Sequence, residues 1–599
     1  MSNLPESRYC PSAFRYTRRV TREVKIGNLG MGGSNPIRIQ SMLTSDTRNT
    51  EACIKEALAL AEAGSELIRL TAQTRSYAEN LKNISQGLRA AGCHVPLVAD
   101  IHFKPDAAME AAKWVEKIRI NPGNFIDKKR TDAEDITDTE YSEELDRLRD
   151  TFTPLVQFCN EYGRAMRIGT NHGSLSDRIM NRFGDTPQGM VESALEFARI
   201  ARDLDYHNLV FSMKASNPRV MVEAYRLLTA RLEAEGPDWN YPIHLGVTEA
   251  GSGEDGRIKS AVGIGSLLSD GIGDTLRVSL TEDAVHEIPV AYALVAPFQP
   301  ETKADDPATE SPCPALSYDP LHLVRRNPGI VLAWGVEIGW NQVPRVIVTQ
   351  DAMDTLTPRL ASLGECTPEL TLEKLAPVAI DPRDPEAVNS TRTLVEPTVI
   401  TVADGVDMDP IHAFRWLASV IEDRHPIMIK DNLNGAPLED KETAALESSR
   451  ILGSLLCDGL GDAVLLRNEK NPEESMKLAY NILQASGTRI FKTEFISCPS
   501  CGRTLYPIQE AVSRIREATG HLKGLRIAVM GCIVNGPGDM ADADFGYVGG
   551  APGKINLYVK KTPVKFNIPQ EKAVEELVNL IKEHGKWIDP PSPEEIQNS

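Results

Sequence analysis

The stretch "GSLLSDGIGDTLRVSL", residues 265–280, decides the fold class. It runs from an apolar helical segment through a glycine turn into a strand, which is how a helix returns to a parallel sheet. Outward from it, helical and strand-like segments alternate, with strands predicted at 37–42, 66–71, 96–102, 117–123, 165–171, 209–216, 243–250 and 274–280. Eight such units predict an α/β protein with an N-terminal (β/α)8 TIM barrel. A doubly wound sheet fits less well, because no Gly-rich dinucleotide loop follows a strand.

The first ten residues of this stretch recur 188 positions later, at 453–462, with eight of ten identical. More strand-like segments surround the copy. We therefore expect an inserted, partial barrel-like α/β domain over 318–488, joined to the barrel domain (1–297) by a Pro- and acid-rich linker, 298–317. Because the copy lacks the charged strand ends of the first barrel, we expect it to be a structural spacer.

Residues 489–589 form a third predicted unit, a small α/β domain. An amphipathic helix begins near Leu505, and the strand 525–530 leads directly to Cys532. The Pro-rich end of the chain, 590–599, predicts a disordered tail.

The bulk composition excludes several classes of protein. The chain has 599 residues, 41% of them hydrophobic and 25% charged, with a net charge of −19, which disfavours a general nucleic-acid binder. No apolar run approaches the roughly 18 residues of a membrane span, and the N-terminus has no apolar signal region. Seven of the ten cysteines are scattered singly. We therefore expect a cytoplasmic protein with neither a nucleic-acid nor a membrane partner.

Five predicted strands carry a cation near their C-terminal end, where TIM barrels place their active sites. These cations are Arg69, Arg119, Arg167, Lys214 and Arg277. Guanidinium groups match phosphate oxygens, so the set predicts a site for a small phosphorylated anion. Polar side chains occupy neighbouring positions, namely Asp100, His102, Asn121, Asn171, His172, Thr248, Glu249 and Ser279. Glu249 could transfer a proton or could simply balance the cations.

Three clustered cysteines, Cys498, Cys501 and Cys532, have C-x2-C-x30-C spacing. They are compatible with structural zinc or with an iron–sulfur cluster. Zinc would ordinarily use a second C-x2-C pair, which is absent. A cluster on three thiolates leaves one iron exchangeable, and the turn 536–538 could bring Asp539 or a water molecule near it.

Several stretches resemble the 4-hydroxy-3-methylbut-2-enyl diphosphate synthase family, in its long three-domain form from plants and some bacteria. They are "PLVADIHF", "IRINPGNF", "RAMRIGTNHGSLSDRIM", "DYHNLVFSMKASNP", "HLGVTEAG", "GIGDTLRVSLTE", "ISCPSCGRT" and "GCIVNGPG". The resemblance implies an iron–sulfur oxidoreductase that reductively opens 2-C-methyl-D-erythritol 2,4-cyclodiphosphate. It also implies a [4Fe-4S] cluster, a ferredoxin or flavodoxin donor, and a monomer or homodimer.

The resemblance assigns roles to residues of this chain. Glu249 would transfer a proton, Asn535 would reach the substrate, and Cys498, Cys501 and Cys532 would ligate the cluster. The substrate-binding set would be Arg69, Asp100, Arg119, Asn121, Arg167, Asn171, Lys214, Thr248, Arg277 and Ser279.

One position departs from the family pattern. Asp539 stands where the family has a glutamate as fourth iron ligand. Its side chain is one methylene shorter, so we expect the cluster to assemble but the activity to be lowered or altered.

The cluster domain must close over the barrel mouth, and the inserted segment is expected to allow closure within one chain. Two alternatives come from other classes. One is a non-catalytic phosphate-ligand-binding protein with structural zinc, and the other is a zinc-dependent barrel lyase in which Lys214 forms a Schiff base.

Overall fold

The computed structural model describes residues 8–101, 103–126, 136–299, 313–534, 536–540 and 542–590. A hairpin of β1 (Val24–Ile26) and β2 (Leu29–Met31) plugs the bottom of the first barrel. The barrel strands are β3 (Arg38–Met42), β4 (Leu67–Thr71), β5 (Leu97–Ile101), β6 (Lys117–Ile120), β7 (Ala165–Asn171), β8 (Leu209–Lys214), β9 (His244–Leu245) and β10 (Thr275–Leu276).

The eight strands pair in parallel in the order β8-β7-β6-β5-β4-β3-β10-β9. A single bridge between Phe211 and Ile243 joins β8 to the start of β9 and closes the ring. The predicted TIM barrel is thereby confirmed. The last two strands are shorter than predicted, in part because Glu249, within the predicted strand 243–250, has a left-handed backbone (φ 53°) that extended pairing does not accommodate.

Helices surround the first barrel and follow its strands. Their bounds are α1 (Thr50–Glu62), α2 (Arg75–Ala90), α3 (Pro105–Ala111), α4 (Asp138–Glu161), α5 (Asp177–Phe183), α6 (Pro187–Asp203), α7 (Pro218–Glu235), α8 (Gly253–Ser269) and α9 (Glu287–Val295).

The middle of the chain repeats this plan with fewer strands. A hairpin of β11 (Val331–Ala333) and β12 (Val336–Ile338) precedes β13 (Arg345–Val348), β14 (Leu370–Thr371), β15 (Val378–Ile380), β16 (Ile400–Val402), β17 (Met428–Lys430) and β18 (Ala463–Leu465). Its helices are α10 (Gln350–Leu356), α11 (Leu372–Leu375), α12 (Pro385–Arg392), α13 (Pro410–Val420), α14 (Lys441–Cys457) and α15 (Pro472–Ala485).

The strand order of this second barrel matches that of the first. β14, β13, β18 and β17 pair in parallel, as do β15 and β16, and a bridge between Ile400 and Ile427 joins the two groups. The arrangement reproduces β4-β3-β10-β9-β8-β7, so the copy lacks counterparts of β5 and β6. The middle of the chain is therefore a partial barrel, as predicted.

The register of the strands gives residue equivalences between the two barrels. Arg69, Lys214 and Arg277 of the first rim correspond to Leu372, Ala403 and Leu465 of the second. The second rim does carry other charges, since Lys430 and Arg467 both bind Asp404, at 2.5 and 2.8 Å. Both of those cations therefore have a carboxylate partner within the second barrel, and the role of this segment as a spacer stays a prediction.

The equivalent helices α8 and α14 cross where the repeated sequence lies. A Cβ on Gly265 would lie 2.8 Å from Arg450, and one on the equivalent Gly453 would lie 2.5 Å from Val262. Two glycines therefore let the two helix backbones approach closely. The hydrophobic core runs continuously through both barrels.

A buried square of charges joins the two barrels beside this crossing. Arg226 pairs with Asp270 (2.8 Å) and Asp458 (2.7 Å), and Arg415 pairs with the same two aspartates, both at 2.8 Å. All four side chains are inaccessible to solvent. The two aspartates occupy equivalent repeat positions, so the contact is close to a local twofold arrangement.

The third unit is a mixed five-stranded sheet covered by helices. Its strands, in sheet order, are β19 (Glu494–Ser497), β20 (Arg526–Met530), β21 (Phe545–Ala551), β22 (Lys554–Val559) and β23 (Thr562–Pro569). Its helices are α16 (Ile508–Thr519), α17 (Gly536–Asp539) and α18 (Gln570–Glu583). The first three strands are parallel, so β19 and β20 both end at the edge that faces the first barrel.

The predicted linker and tail lie largely outside the described residues, and their bounds stay predictions. Among the helices that the structure describes, none combines the length and apolarity needed to cross a bilayer.

Candidate active site

One cavity joins the mouth of the first barrel to the loops of the third unit. The barrel contributes Met42, Arg69, Asp100, Arg119, Arg167, Asn171, Lys214, Thr248, Glu249, Arg277 and Ser279. The third unit contributes Cys498, Pro499, Ser500, Cys501, Arg503, Met530, Gly531, Cys532 and Gly536. The five predicted cations and the three clustered cysteines therefore line the same space.

Two of the rim cations are held by carboxylates. Arg119 donates to Asp100 Oδ1 at 2.9 Å, and Arg277 forms a two-pronged pair with Glu287 at 2.9 and 3.0 Å. Burial opposes the charge of Arg277, but Glu287 outweighs it and raises the arginine pKa. These two guanidinium groups are therefore fixed in position before any ligand arrives.

The other three rim cations have no carboxylate within ion-pair distance in the described part of the chain. Arg69 donates only to the Met42 sulfur, at 2.9 and 3.0 Å, and Arg167 donates to Ser212 Oγ at 3.4 Å. Burial lowers the pKa of Arg69 to about 10, and burial and the neighbouring arginines hold the pKa of Arg167 and of Lys214 well below their usual values. Such a cluster is stabilised by an added anion.

Glycines in the strands make room for these long side chains. A Cβ on Gly169 would lie 2.6 Å from Arg119 Nε, and a Cβ on Gly246 would lie 2.6 Å from Lys214 Nζ. The glycines of "RIGTN" and "HLGVTE" thus allow cations from neighbouring strands to reach across the barrel.

Glu249 and Asp539 form a buried carboxyl pair between the barrel and the third unit. Their side chains are in hydrogen-bonding contact, and one oxygen of each receives no hydrogen bond from a described residue. Burial raises the pKa of both groups, and the Glu249 charge raises that of Asp539 further. Ionisation of both carboxyl groups at once is therefore disfavoured.

Asn171 connects this pair to the rim. Its side-chain oxygen accepts from Arg119 Nη2 at 3.0 Å, and its nitrogen donates to Asp539 Oδ1 at 3.4 Å. Asp539 does not line the cavity beside the cysteines. Its carboxyl group is directed to the barrel.

The three cysteines follow parallel strands. Cys498 comes directly after β19 and Cys532 shortly after β20, while Cys501 lies in a turn that Ser500 enters with φ 73°. The Cys501 N–H donates to Thr504 Oγ1 at 3.1 Å. Burial, Glu249 and the other two thiols raise the pKa of Cys498 well above its usual value. Closely grouped thiols of this kind become thiolates when they bind a metal.

The donor set fits a polynuclear cluster. Across the described ranges, no three His, Cys, Asp or Glu side chains are close enough to hold a single metal ion. An iron–sulfur cluster makes a different demand, since each thiolate binds a different iron. Three soft thiolates around one cavity meet that demand, whereas the closed tetrahedral zinc site of the alternatives requires four ligands about one ion.

Arg503 is a site residue that sequence reasoning missed. It donates to Asp100 Oδ2 at 3.3 Å, so Asp100 bridges it to Arg119. The Cys501 and Cys532 thiols and Asp100 outweigh burial and raise the pKa of Arg503. Its position two residues after the C-x2-C pair was the available signal, because a cation there favours thiolates.

Three further predicted residues are not among the described residues that line the cavity. Asn121 is buried but does not line the cavity, and its Oδ1 accepts from Gly123 N at 3.3 Å, which holds the turn after β6. Asn535 and His102 lie outside the described residues. The other predicted substrate-binding residues are brought together.

The third unit is seated on the barrel of the same chain. Thr281 donates to the Ser497 carbonyl at 3.2 Å, and Lys259 pairs with Glu494 at 2.8 Å. A Cβ on Gly173 would lie only 2.1 Å from the Gly538 carbonyl oxygen. The glycine contact shows how tightly the barrel loop after β7 meets the loop after Cys532.

Comparison with known proteins agrees with this geometry. Residues 21–292 match a family model described as the GcpE TIM-barrel domain, and residues 494–583 match the GcpE protein C-terminal domain. The chain is 67% identical to a 4-hydroxy-3-methylbut-2-en-1-yl diphosphate synthase (flavodoxin) of Akkermansia muciniphila, covering 98% of this chain and 100% of that protein. It is 44% identical to the flavodoxin-type enzyme of Leptospira interrogans (97% and 99% covered), and 40% identical to the chloroplastic, ferredoxin-type enzyme of Arabidopsis thaliana (99% and 91%).

Proposed function

The chain belongs to the 4-hydroxy-3-methylbut-2-en-1-yl diphosphate synthase family of isoprenoid-forming enzymes, and on that premise we propose that it reductively opens 2-C-methyl-D-erythritol 2,4-cyclodiphosphate. The product is 4-hydroxy-3-methylbut-2-enyl diphosphate. The observation that carries this proposal is the single cavity shared by three cations without carboxylate partners and three cysteines. Neither alternative is supported by the relatives.

The rim binds and orients the substrate. Arg69, Arg167 and Lys214 supply charge that the described protein leaves uncompensated, so they take the diphosphate oxygens. Arg119 and Arg277, which are fixed by Asp100 and Glu287, define the position of the anion. Thr248 and Ser279 line the cavity and supply hydroxyl groups to the same ligand.

Cys498, Cys501 and Cys532 would hold a [4Fe-4S] cluster opposite this rim. When bound, the cluster supplies electrons at an iron with an exchangeable coordination position. Arg503 favours the thiolate forms that ligation requires. Flavodoxin or ferredoxin, the donors named for the relatives, are the proposed electron source, and the cytoplasm remains the predicted compartment.

The carboxyl pair supplies a proton. Conversion of the cyclic diester dianion to the allylic diphosphate consumes two electrons and one proton and releases the departing hydroxyl as water. Glu249 lines the cavity and burial raises its pKa, so it is placed to protonate that hydroxyl. Asn171 keeps Asp539 oriented toward Glu249.

The site forms within one chain in this proposal. The barrel domain (1–297) and the cluster domain (489–589) meet directly, and the second barrel (318–488) packs beside the first as a rigid support through α8 and α14.

Anaerobic turnover tests the proposed function. Protein reconstituted with iron and sulfide should convert the cyclic diphosphate with a chemical reductant, and Cys532→Ser should lose both visible absorption and turnover. Cys457→Ser is the matched control, because the first barrel has Ser269 at the equivalent position, and it should retain both. A colourless wild-type protein that binds stoichiometric zinc would contradict the proposal.

A further inference from the structure

A second polar layer lies inside the barrel, beneath the rim. Lys117 on β6, Gln40 on β3 and His244 on β9 are all almost completely buried. Lys117 precedes Arg119 by two residues on the same strand, so the two side chains share a face about 7 Å apart. A buried lysine one layer below the anion site therefore accompanies the cations already described.

Lys117 has little to balance a charge. Its ammonium group has one neutral acceptor, Gln40 Oε1, at 3.5 Å. The charged groups that act on it, Arg167 from β7 and Arg69 from β4, are both cationic. His244 from β9 is close enough for Lys117 to influence its titration. A proton on Lys117 is therefore opposed by every ionised group that acts on it.

The other described neighbours of Lys117 supply no negative charge to balance its ammonium group. Strand register places Val98 of β5 and Ala165 of β7 directly beside Lys117. The hairpin that plugs the barrel below packs Val24, Ile26 and Met31 against Val98 and Ala165. On β5 the carboxylate of Asp100 lies one layer above and already accepts hydrogen bonds from Arg119 and Arg503.

The barrel architecture does not require this polar layer. At the positions equivalent to Gln40 and His244, the second barrel has Ile347 and Met428, which pack in an apolar cluster. β6, which carries Lys117, has no counterpart there. The layer is polar only in the barrel that carries the anion site.

We propose that Lys117 couples anion binding to proton uptake, being uncharged beneath the empty rim and taking one proton from solvent when the diphosphate binds. The inference rests on the proposed function, because the anion must bind at the rim. The anion reverses the local charge, and Gln40 Oε1 accepts a hydrogen bond from the ammonium group. Burial, Arg167 and Arg69 hold the pKa of Lys117 well below its usual value in the unliganded protein, consistent with this coupling.

Calorimetry on the oxidised, reconstituted holoenzyme tests the inference. The cyclodiphosphate is a diester without an oxygen that titrates near neutral pH, so a proton taken up on binding belongs to the protein. Titrations at pH 8 in buffers of different protonation enthalpy should give at least one proton taken up per anion bound. Binding should weaken as the pH rises, with an increase in Kd that approaches tenfold per pH unit.

Variants assign the proton to a residue. Lys117→Met and Lys117→Gln should each lower the uptake by close to one proton per anion bound and reduce the pH dependence of the Kd, whereas uptake by Lys214, whose pKa is also lowered, should persist in both. His244→Met, which introduces the residue of the second barrel, should retain the uptake. Wild-type binding without proton uptake, or uptake unchanged in both Lys117 variants, overturns the inference and leaves the proposed function standing. Absence of binding overturns both.

Discussion

The two barrels of this chain share a strand order, a bottom hairpin and a repeated helix, but their interiors differ in chemistry. Arg38 pairs with Glu66 in the first barrel as Arg345 pairs with Glu369 in the second, at 2.6 and 2.9 Å. Because this ion pair at the lower end of the strands occurs in both barrels, it fits a structural role. Rim cations without a carboxylate partner, and the polar layer beneath them, are features of the first barrel among the described residues, which separates residues needed for folding from residues needed for binding.

The comparison teaches that uncompensated charge marks the functional barrel. In the second barrel, Lys430 and Arg467 each form an ion pair with Asp404. In the first, Arg69 finds only a sulfur atom among the described residues. Burying unpaired cations is costly, so their retention indicates a ligand that pairs with them.

The largest effect is expected where the two barrels join. Arg415→Met removes one corner of the buried charge square and leaves Asp270 and Asp458 with one arginine between them. The free energy of unfolding should fall by about 3–5 kcal/mol. Denaturant unfolding measures the loss, with Arg392→Met as control, because Arg392 is exposed and donates to Asn389 on its own helix. An unchanged midpoint would show that the square does not hold the barrels together.

Replacing a rim residue of the first barrel by its equivalent in the second should weaken substrate binding. Lys214→Ala, which introduces the equivalent of Ala403, should lower kcat/KM about 100-fold, since a charge-assisted contact contributes about 1.5–3 kcal/mol. Steady-state kinetics measure this. Lys430→Met in the second rim should stay within twofold of wild type, and equal losses in both variants would contradict the distinction between the barrels.

The equivalent glycines should differ in tolerance. Gly453→Ala meets the stiff side chain of Val262 and should cost about 1–2 kcal/mol. Gly265→Ala meets the base of the Arg450 side chain, 2.8 Å from Cγ and 3.1 Å from Cβ, which is a smaller overlap, and the gain in helix propensity should leave a cost below that of Gly453→Ala. Thermal unfolding compares the two variants, and a larger loss for Gly265→Ala would argue against this description of the crossing.

The smallest expected effect concerns the carboxyl pair. Asp539→Glu restores the side-chain length of the family and should raise turnover several-fold without changing cluster content. Iron and sulfide analysis beside steady-state kinetics checks both. No gain in turnover would mean that this chain has accommodated the shorter residue.

Much of this molecule could be predicted from its sequence. All eight barrel strands overlap the positions where the alternating pattern places them, and all five rim cations can be located by strand position alone. Arg503 was missed because its contact with Asp100 spans 403 residues and depends on how two units dock. Asn121 was placed in the site because strand position does not reveal that its amide caps its own turn.

The way in which the two barrels pack against each other could not be predicted from the sequence. The repeat indicates a copied barrel, yet the charge square and the glycine crossing depend on which faces of α8 and α14 meet. Sequence periodicity gives the buried face of a helix but not its partner. The local twofold arrangement is therefore a property of packing.

In the proposed function, one chain supplies both the anion rim and the thiolates of its own site. Mixing Lys214→Ala with Cys532→Ser under conditions that allow subunit exchange tests it most directly. The account predicts that the mixture has no more activity than the two variants measured separately. Recovery toward about a quarter of wild-type turnover, as expected for sites shared between the subunits of a dimer, would contradict it.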